Sequence, residues 1–150
     1  MSAAVIRFLE PRDIPAILRI QSSSREAAQW SEVAYENLRQ AGQGAWVAEH
    51  EGHIAGFLVA RVMANEMEIL NLAVDSSLRR KGIGRVLLQE SLSWAAQNGA
   101  NRVFLEVRVS NTAARQFYEA HGFASAGVRA NYYHDPDEAA LLLTSILDRK

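Results

Sequence analysis

The sequence predicts an α/β fold, a central mixed sheet flanked by helices, and three observations predict it. Strand-like and helical segments follow one another over 150 residues in the order strand, two helices, three strands, helix, strand, helix, two strands. Met67 to Val74 reads as apolar on both faces, as a central strand covered on both sides should. That strand then runs through a short polar turn into a helix start, the kind of junction where free backbone N–H groups can meet an anion.

Each element has its own signal. Val5 to Leu9 is short and β-rich, and Pro11 followed by Asp13 reads as the entry to a helix with Asp13 as N-cap. Ile14, Ile17 and Leu18 fall at i, i+3 and i+4 and give that helix an apolar face. Ser31 caps a second helix running to about Arg39, which Gly42 and Gly44 stop. Ala45 to Glu49 and Ile54 to Met63, joined through Glu51-Gly52, form a hairpin ahead of the central strand. After the turn, Ile83, Val86, Leu87, Trp94 and Ala95 keep helical spacing until Asn98-Gly99 ends the run. Val103, Leu105 and Val107 alternate with Phe104 and Glu106, so Glu106 stands on the opposite face of its strand from Leu105. Asn111 and Thr112 start a helix in which Ala114, Phe117, Tyr118 and His121 share a face and which Gly122 stops. Ala126 to Tyr133 and Ala139 to Leu147 are the last two strands, around a polar loop, His134 to Glu138. With no repeat, linker or low-complexity segment, residues 1–150 read as a single domain.

Composition excludes several classes of function. A formal net charge of −1 gives no general attraction to nucleic acid or to an anionic membrane, so basic chemistry has to be local. Without cysteine there can be no disulfide, thiolate zinc site or cysteine nucleophile. The four histidines, at positions 50, 53, 121 and 134, include no His-x-x-x-His pair, and no metal is expected. There is no basic start followed by a long apolar core and no apolar run that could span a bilayer, so a cytoplasmic protein is expected.

The junction from Leu72 to Gly84 is the stretch richest in chemistry. Gly82 and Gly84 flank Ile83 at a helix N-terminus, where the absence of Cβ atoms lets a bulky anion lie on the backbone. Arg79, Arg80, Lys81 and Arg85 surround it with positive charge, so the stretch reads as a pyrophosphate cradle or, more simply, as a basic helix start with flexible glycines. It is neither of two familiar phosphate motifs. A dinucleotide fingerprint would need glycine where Leu87 stands, and a nucleotide-triphosphate loop would need Gly-Lys-Ser or Gly-Lys-Thr at the helix start.

The spacing Arg-x-x-Gly-x-Gly over Arg79 to Gly84 resembles the acetyl-coenzyme A signature of the GNAT superfamily of N-acetyltransferases, and the element order resembles the GNAT acyl-CoA N-acyltransferase fold. Leu-Glu-Val-Arg at 105–108, Ser-Asn at 110–111, Phe-Tyr-Glu at 117–119, Gly-Phe at 122–123, Asn-Tyr-Tyr at 131–133 and Trp-Ser-Glu at 30–32 are similar to the ribosomal-protein-alanine N-acetyltransferases. The chain departs from that pattern at Ala28-Gln29, where the family has Phe-Pro.

The resemblance implies acetyl-CoA as acetyl donor and the N-terminal alanine of a small-subunit ribosomal protein as acceptor. It also implies roles. Leu72, Ala73 and Val74 would bind the pantetheine arm and acetyl group, Arg80 through Arg85 the diphosphate, and Asn111 the coenzyme beyond the strand. Glu106 matches the general base and Tyr118 the general acid. The chemistry agrees with both roles. An α-amino group with pKa near ~7.8 is only about one-seventh neutral at pH 7, so a carboxylate that takes its proton raises the reactive fraction. The departing thiolate needs a proton or a strong hydrogen bond, which a phenol can give.

Taken alone, Glu106 reads as a solvated strand residue and Tyr118 as a packed helix residue. Tyr132 and Tyr133 read either as edge-strand packing or as substrate contacts, and Trp30 as a core plug or a peptide contact. A broader N-terminal acetyltransferase and a small-amine acetyltransferase are alternatives on the same fold. A non-catalytic coenzyme A sensor would keep the cradle without needing Glu106 and Tyr118 together.

Overall fold

The computed structural model describes residues 4–24, 27–38, 42–79, 81–133 and 137–147. Strand β1 (Val5–Phe8) leads through a 3-10 turn, Pro11–Asp13, into α1 (Ile14–Ser22) and α2 (Glu32–Glu36). Strands β2 (Gln43–His50), β3 (His53–Met63) and β4 (Glu66–Val74) follow, then a second 3-10 turn at Ser76–Leu78 and α3 (Ile83–Gln97). The chain continues as β5 (Arg102–Arg108), α4 (Thr112–Ala120), β6 (Ala124–Tyr133) and β7 (Glu138–Ile146), the order read from the sequence. The strands form a seven-stranded mixed sheet ordered β1-β2-β3-β4-β5-β7-β6. Among the described residues only β4 and β5 pair in parallel.

One apolar layer covers each face of the sheet. Ile83, Leu87, Leu88 and Ala95 of α3, with Tyr118 of α4, pack on Leu58, Met67, Val103 and Leu105. On the other face Ile14, Ile17 and Ile20 of α1 and Tyr35 of α2 pack on Val47, Phe57, Val59 and Ala73. Val86, expected on the buried face of α3, is exposed; Ser91 is buried there instead, its hydroxyl donating to the Leu88 carbonyl at 2.8 Å.

Strand β4 is where the simple pattern breaks. Val59 of β3 pairs with Asn71, but Ala60 pairs with Ile69, so Leu70 is an extra residue on β4. Such a bulge exchanges the two faces of a strand. Met67 and Ile69 belong to the α3 layer, Leu70 and Ala73 to the α1 layer, and Leu72 and Val74 to the α3 layer again. The strand is therefore not apolar on both faces, because the bulge turns the amide of Asn71 into the α1 layer, where it is 5% exposed.

Helix starts follow the sequence signals in part. Ser31 Oγ accepts from the Ala34 N–H at 3.2 Å, but α2 ends at Glu36, where a tighter bond from Leu38 N to the Tyr35 carbonyl closes the turn. The expected end at Arg39 lies outside the described residues, as do His134 and Asp135 of the polar loop.

Asp13 precedes α1, yet its side chain makes no capping bond to that helix. Its buried carboxylate instead accepts from Nη1 and Nη2 of Arg7, each at 2.8 Å, and from the Glu10 N–H at 2.7 Å, while Arg7 Nε donates to Glu49 at 2.6 Å. Burial alone would raise the Asp13 carboxyl; Arg7 and the Glu10 N–H outweigh it and hold the group below the usual carboxylate range. Asp13→Asn is expected to lower stability by about 2–3 kcal/mol at pH 7, because it leaves a guanidinium short of its main partner. The stability that Asp13 contributes is present above its unfolded pKa, about 3.9, and is lost as pH falls through its lower folded value. Denaturant titrations should therefore show wild type and variant converging in acid, and parallel curves at every pH would contradict the assignment.

Candidate active site

Strands β4 and β5 are paired only at Glu66–Arg102, Met67–Val103 and Glu68–Phe104. Beyond these pairs β4 stays with β3 and β5 with β7, so a wedge opens in the sheet between Leu70–Val74 and Leu105–Arg108. Two cavities meet in this wedge. The first, about 490 Å³, is walled by Leu72, Ala73 and Val74 on one side, by Gly82, Ile83, Gly84 and Arg85 at the start of α3, and by Asn111, Phe117 and Tyr118 of the α4 region. The second, about 420 Å³, lies between Leu70–Leu72 and Leu105–Arg108, with Ala27, Ala28, Gln29 and Tyr133 around it. Ala27, Leu72, Asn111, Ala114 and Tyr118 border both.

The first cavity gathers most of the residues singled out in the cradle. Gly82 is the N-cap of α3 with φ +79°, a left-handed conformation that favours glycine, and no side chain caps the helix. The first N–H groups of α3 thus have no capping side chain among the described residues. A Cβ at Gly82 would meet nothing within 4 Å, and one at Gly84 would make ordinary contacts with Phe117 at 3.5 Å and Val74 at 3.7 Å. Arg79 lines the cavity, its guanidinium 3.4 Å from the Val74 carbonyl and from Ser24 Oγ. Lys81 is exposed beside the turn, and Arg80 lies outside the described residues. Asn111 Oδ1 accepts from the Ala114 N–H at 3.1 Å, which caps α4, so what this side chain can still offer the cavity is its amide N–H₂.

Tyr118 and Glu106 approach the wedge from opposite faces of the sheet. Tyr118 is 5% exposed and held by ring contacts to Phe117 at 5.1 Å and Phe123 at 5.2 Å. Burial pushes its phenol up from the ordinary value, with no hydrogen bond opposing the shift, so the group is a proton donor throughout the neutral range. Glu106 lines the second cavity, and its carboxylate lies 3.5 Å from the Arg129 guanidinium.

Tyr133 lines the second cavity while Tyr132 does not. Burial, followed by the charges of Tyr132 and Glu106, pushes the Tyr133 phenol up to about 12. Trp30 borders neither cavity; its ring packs on Tyr35 at 5.4 Å beside the α1 layer. Of the acidic residues at the wedge, Glu138 accepts from Ser110 N at 2.6 Å and pairs with Arg108 at 3.4 Å.

Three contributors to the site escaped the sequence reading. Arg108 lines the second cavity with its guanidinium 4.6 Å from the centre of the Tyr133 ring, and the period-two rule that placed Glu106 placed Arg108 on the same face. Arg129 stacks 4.7 Å over Tyr132 and faces Glu106, a meeting set by strand pairing across β7. Asn71, also on the cavity wall, was hidden by the bulge.

A sheet parted between two parallel strands, with a helix start exposed in the opening, is the architecture of the GNAT structures it superposes on, and comparison gives the class. The acetyltransferase (GNAT) family matches residues 13–123, and the chain belongs to that family. It is an acetyl-CoA-dependent N-acetyltransferase. Among its relatives it is similar to the ribosomal protein bS18-alanine N-acetyltransferase of Escherichia coli K12, 34% identical over 132 residues and 88% of each chain. An N-alpha-acetyltransferase of Sulfolobus acidocaldarius is 30% identical, covering 91% of this chain and 89% of the relative. The crystal structure of the Escherichia coli ribosomal-protein-S18-alanine N-acetyltransferase superposes with TM-score 0.84 at 31% identity over 98% of this chain and 96% of that one. Ard1 of Thermoplasma volcanium superposes with TM-score 0.89 at 30% identity over 99% and 100%. Among the described residues no helix is long and apolar enough to cross a membrane.

Proposed function

We propose that this enzyme acetylates the N-terminal amine of a protein, with the N-terminal alanine of a small-subunit ribosomal protein as its acceptor. The observation that carries the reading is that Tyr118 borders both of these cavities while Glu106 lines the second and not the first. A donor entering along the first cavity and an amine entering the second would meet beside Tyr118. The identity to relatives named for that alanine supports the acceptor, and the Sulfolobus relative supports broader N-terminal specificity as the second reading.

The first cavity suits acetyl-CoA on its own chemistry. Backbone N–H groups at the start of α3, with Arg79 and Arg85 at the rim, suit a diphosphate, and the apolar wall of Leu72 to Val74 suits the pantetheine arm. Bound there, acetyl-CoA supplies an activated acyl group that needs no metal to react with a neutral amine. The protein's own part is to make the amine neutral and to stabilise the departing sulfur. Glu106 accepts the amine's proton, directly or through water, and Tyr118 donates to the sulfur from its buried phenol. Tyr133 and Arg108 border the acceptor side, where backbone and side chains of a peptide would lie.

Gly84→Ala tests the cradle. Its added methyl finds only ordinary contacts within the protein, so the melting curve is expected to stay within about 1 kcal/mol of wild type. A diphosphate lying on that backbone would be displaced, and calorimetry should show coenzyme A binding weakened about tenfold. Unchanged affinity would place the diphosphate elsewhere. For the acceptor, mass spectrometry of peptides that differ only in their first residue should show the alanine-first peptide acetylated fastest. Faster turnover of small amines than of any peptide would overturn the proposal.

A further inference from the structure

We infer that Asn71, backed by Tyr35 and Gln21, is a positioning residue that fixes the segment Ala28 to Trp30 and so holds Ala28 and Gln29 as wall of the acceptor-side cavity; this rests on the function proposed above. These three polar side chains are 5%, 1% and 4% exposed, set in a layer otherwise made of Ile17, Ile20, Phe57 and Val59. Buried amides and hydroxyls are costly there unless bonded, and an apolar side chain of the same volume would serve stability as well or better.

The bonds they make share one target. Asn71 Oδ1 accepts from Ala28 N at 3.2 Å, and its amide nitrogen donates to the Ala28 carbonyl at 3.0 Å and to the Tyr35 hydroxyl at 3.2 Å. Tyr35 in turn donates to Gln21 Oε1. Gln21 then grips the next peptide group but one, donating to the Trp30 carbonyl at 2.6 Å and accepting from Trp30 N at 3.3 Å. Residues 28–30 belong to no helix or strand, so side chains supply the partners that a ladder would otherwise provide. Ala28 and Gln29, the residues so held, line the same cavity as Glu106. The Leu70 bulge is what aims Asn71 at them.

Asn71→Leu keeps the volume and removes the grip. The amide proton of Ala28 is expected to exchange at least about tenfold faster, and KM for an alanine-first peptide to rise about tenfold. Turnover number and coenzyme A affinity are expected to stay within about twofold, a split that a merely structural role would not produce. Tyr35→Phe keeps the ring against Trp30 and Phe57, removes only the bridging hydroxyl, and is expected to act in the same direction by about threefold. Unchanged Ala28 exchange, or unchanged KM in a folded variant, would overturn the inference, and if Asn71→Leu does not fold, Tyr35→Phe decides it. Wild-type protein that acetylates no N-terminal peptide would overturn the proposed function, while the exchange measurement would still decide whether Asn71 holds this wall.

Discussion

Tyr118→Phe is expected to cut turnover by about 10²-fold or more while leaving the melting temperature close to wild type. Phenylalanine keeps the ring that packs between Phe117 and Phe123, so the layer under α4 loses no volume. What disappears is the one buried phenol bordering both cavities. Desolvation holds that phenol above its ordinary value, so in the wild type it stays protonated across the neutral and mildly alkaline range. Raising the pH should not restore the variant, because the missing group is a donor. A folded Tyr118→Phe protein that turns over at nearly the wild-type rate would remove Tyr118 from the mechanism.

Glu106→Gln is expected to produce a loss of similar size with the opposite response to pH. Glutamine matches the side chain in size but cannot take a proton, so coenzyme binding should be normal and turnover slow. An amine with pKa near ~7.8 is about one-seventh neutral at pH 7 and almost wholly neutral at pH 9, so alkali can return at most about sevenfold. Arg129, mostly exposed, loses its ion-pair partner in the variant at little cost to stability. A flat ratio of variant to wild-type rate between pH 7 and 9, in a protein that melts normally, would assign Glu106 some role other than base.

The contrast between Glu106 and Arg129 shows what the sequence could disclose. The strand face of Glu106 was legible because period-two alternation within β5 is local, and the same holds for Ser31, Asn111, Gly82 and Gly122, whose caps and stops depend on a few neighbouring residues. Arg129 faces Glu106 only through the pairing of β5 with β7 and of β7 with a β6 strand whose register shifts twice. No local pattern encodes such a meeting. The wedge was illegible for the same reason, since the point where β4 and β5 part company leaves no mark on either strand's composition. The faces of the strand Met67 to Val74 and the role of Asp13 differ from the local pattern as well. The faces were exchanged by a bulge, and Asp13 was drawn from helix capping to a guanidinium on the neighbouring strand.

The central claim is that an N-terminal α-amine is the group that reaches the space between Glu106 and Tyr118. Incubating the protein with acetyl-CoA and a peptide that begins with alanine and contains an internal lysine, then locating the added acetyl group by tandem mass spectrometry, tests it directly. The predicted result is acetyl on the alanine nitrogen, lost in both Tyr118→Phe and Glu106→Gln at matched times. Acetyl on the lysine side chain, or α-amine acetylation that persists undiminished in both variants, would contradict it.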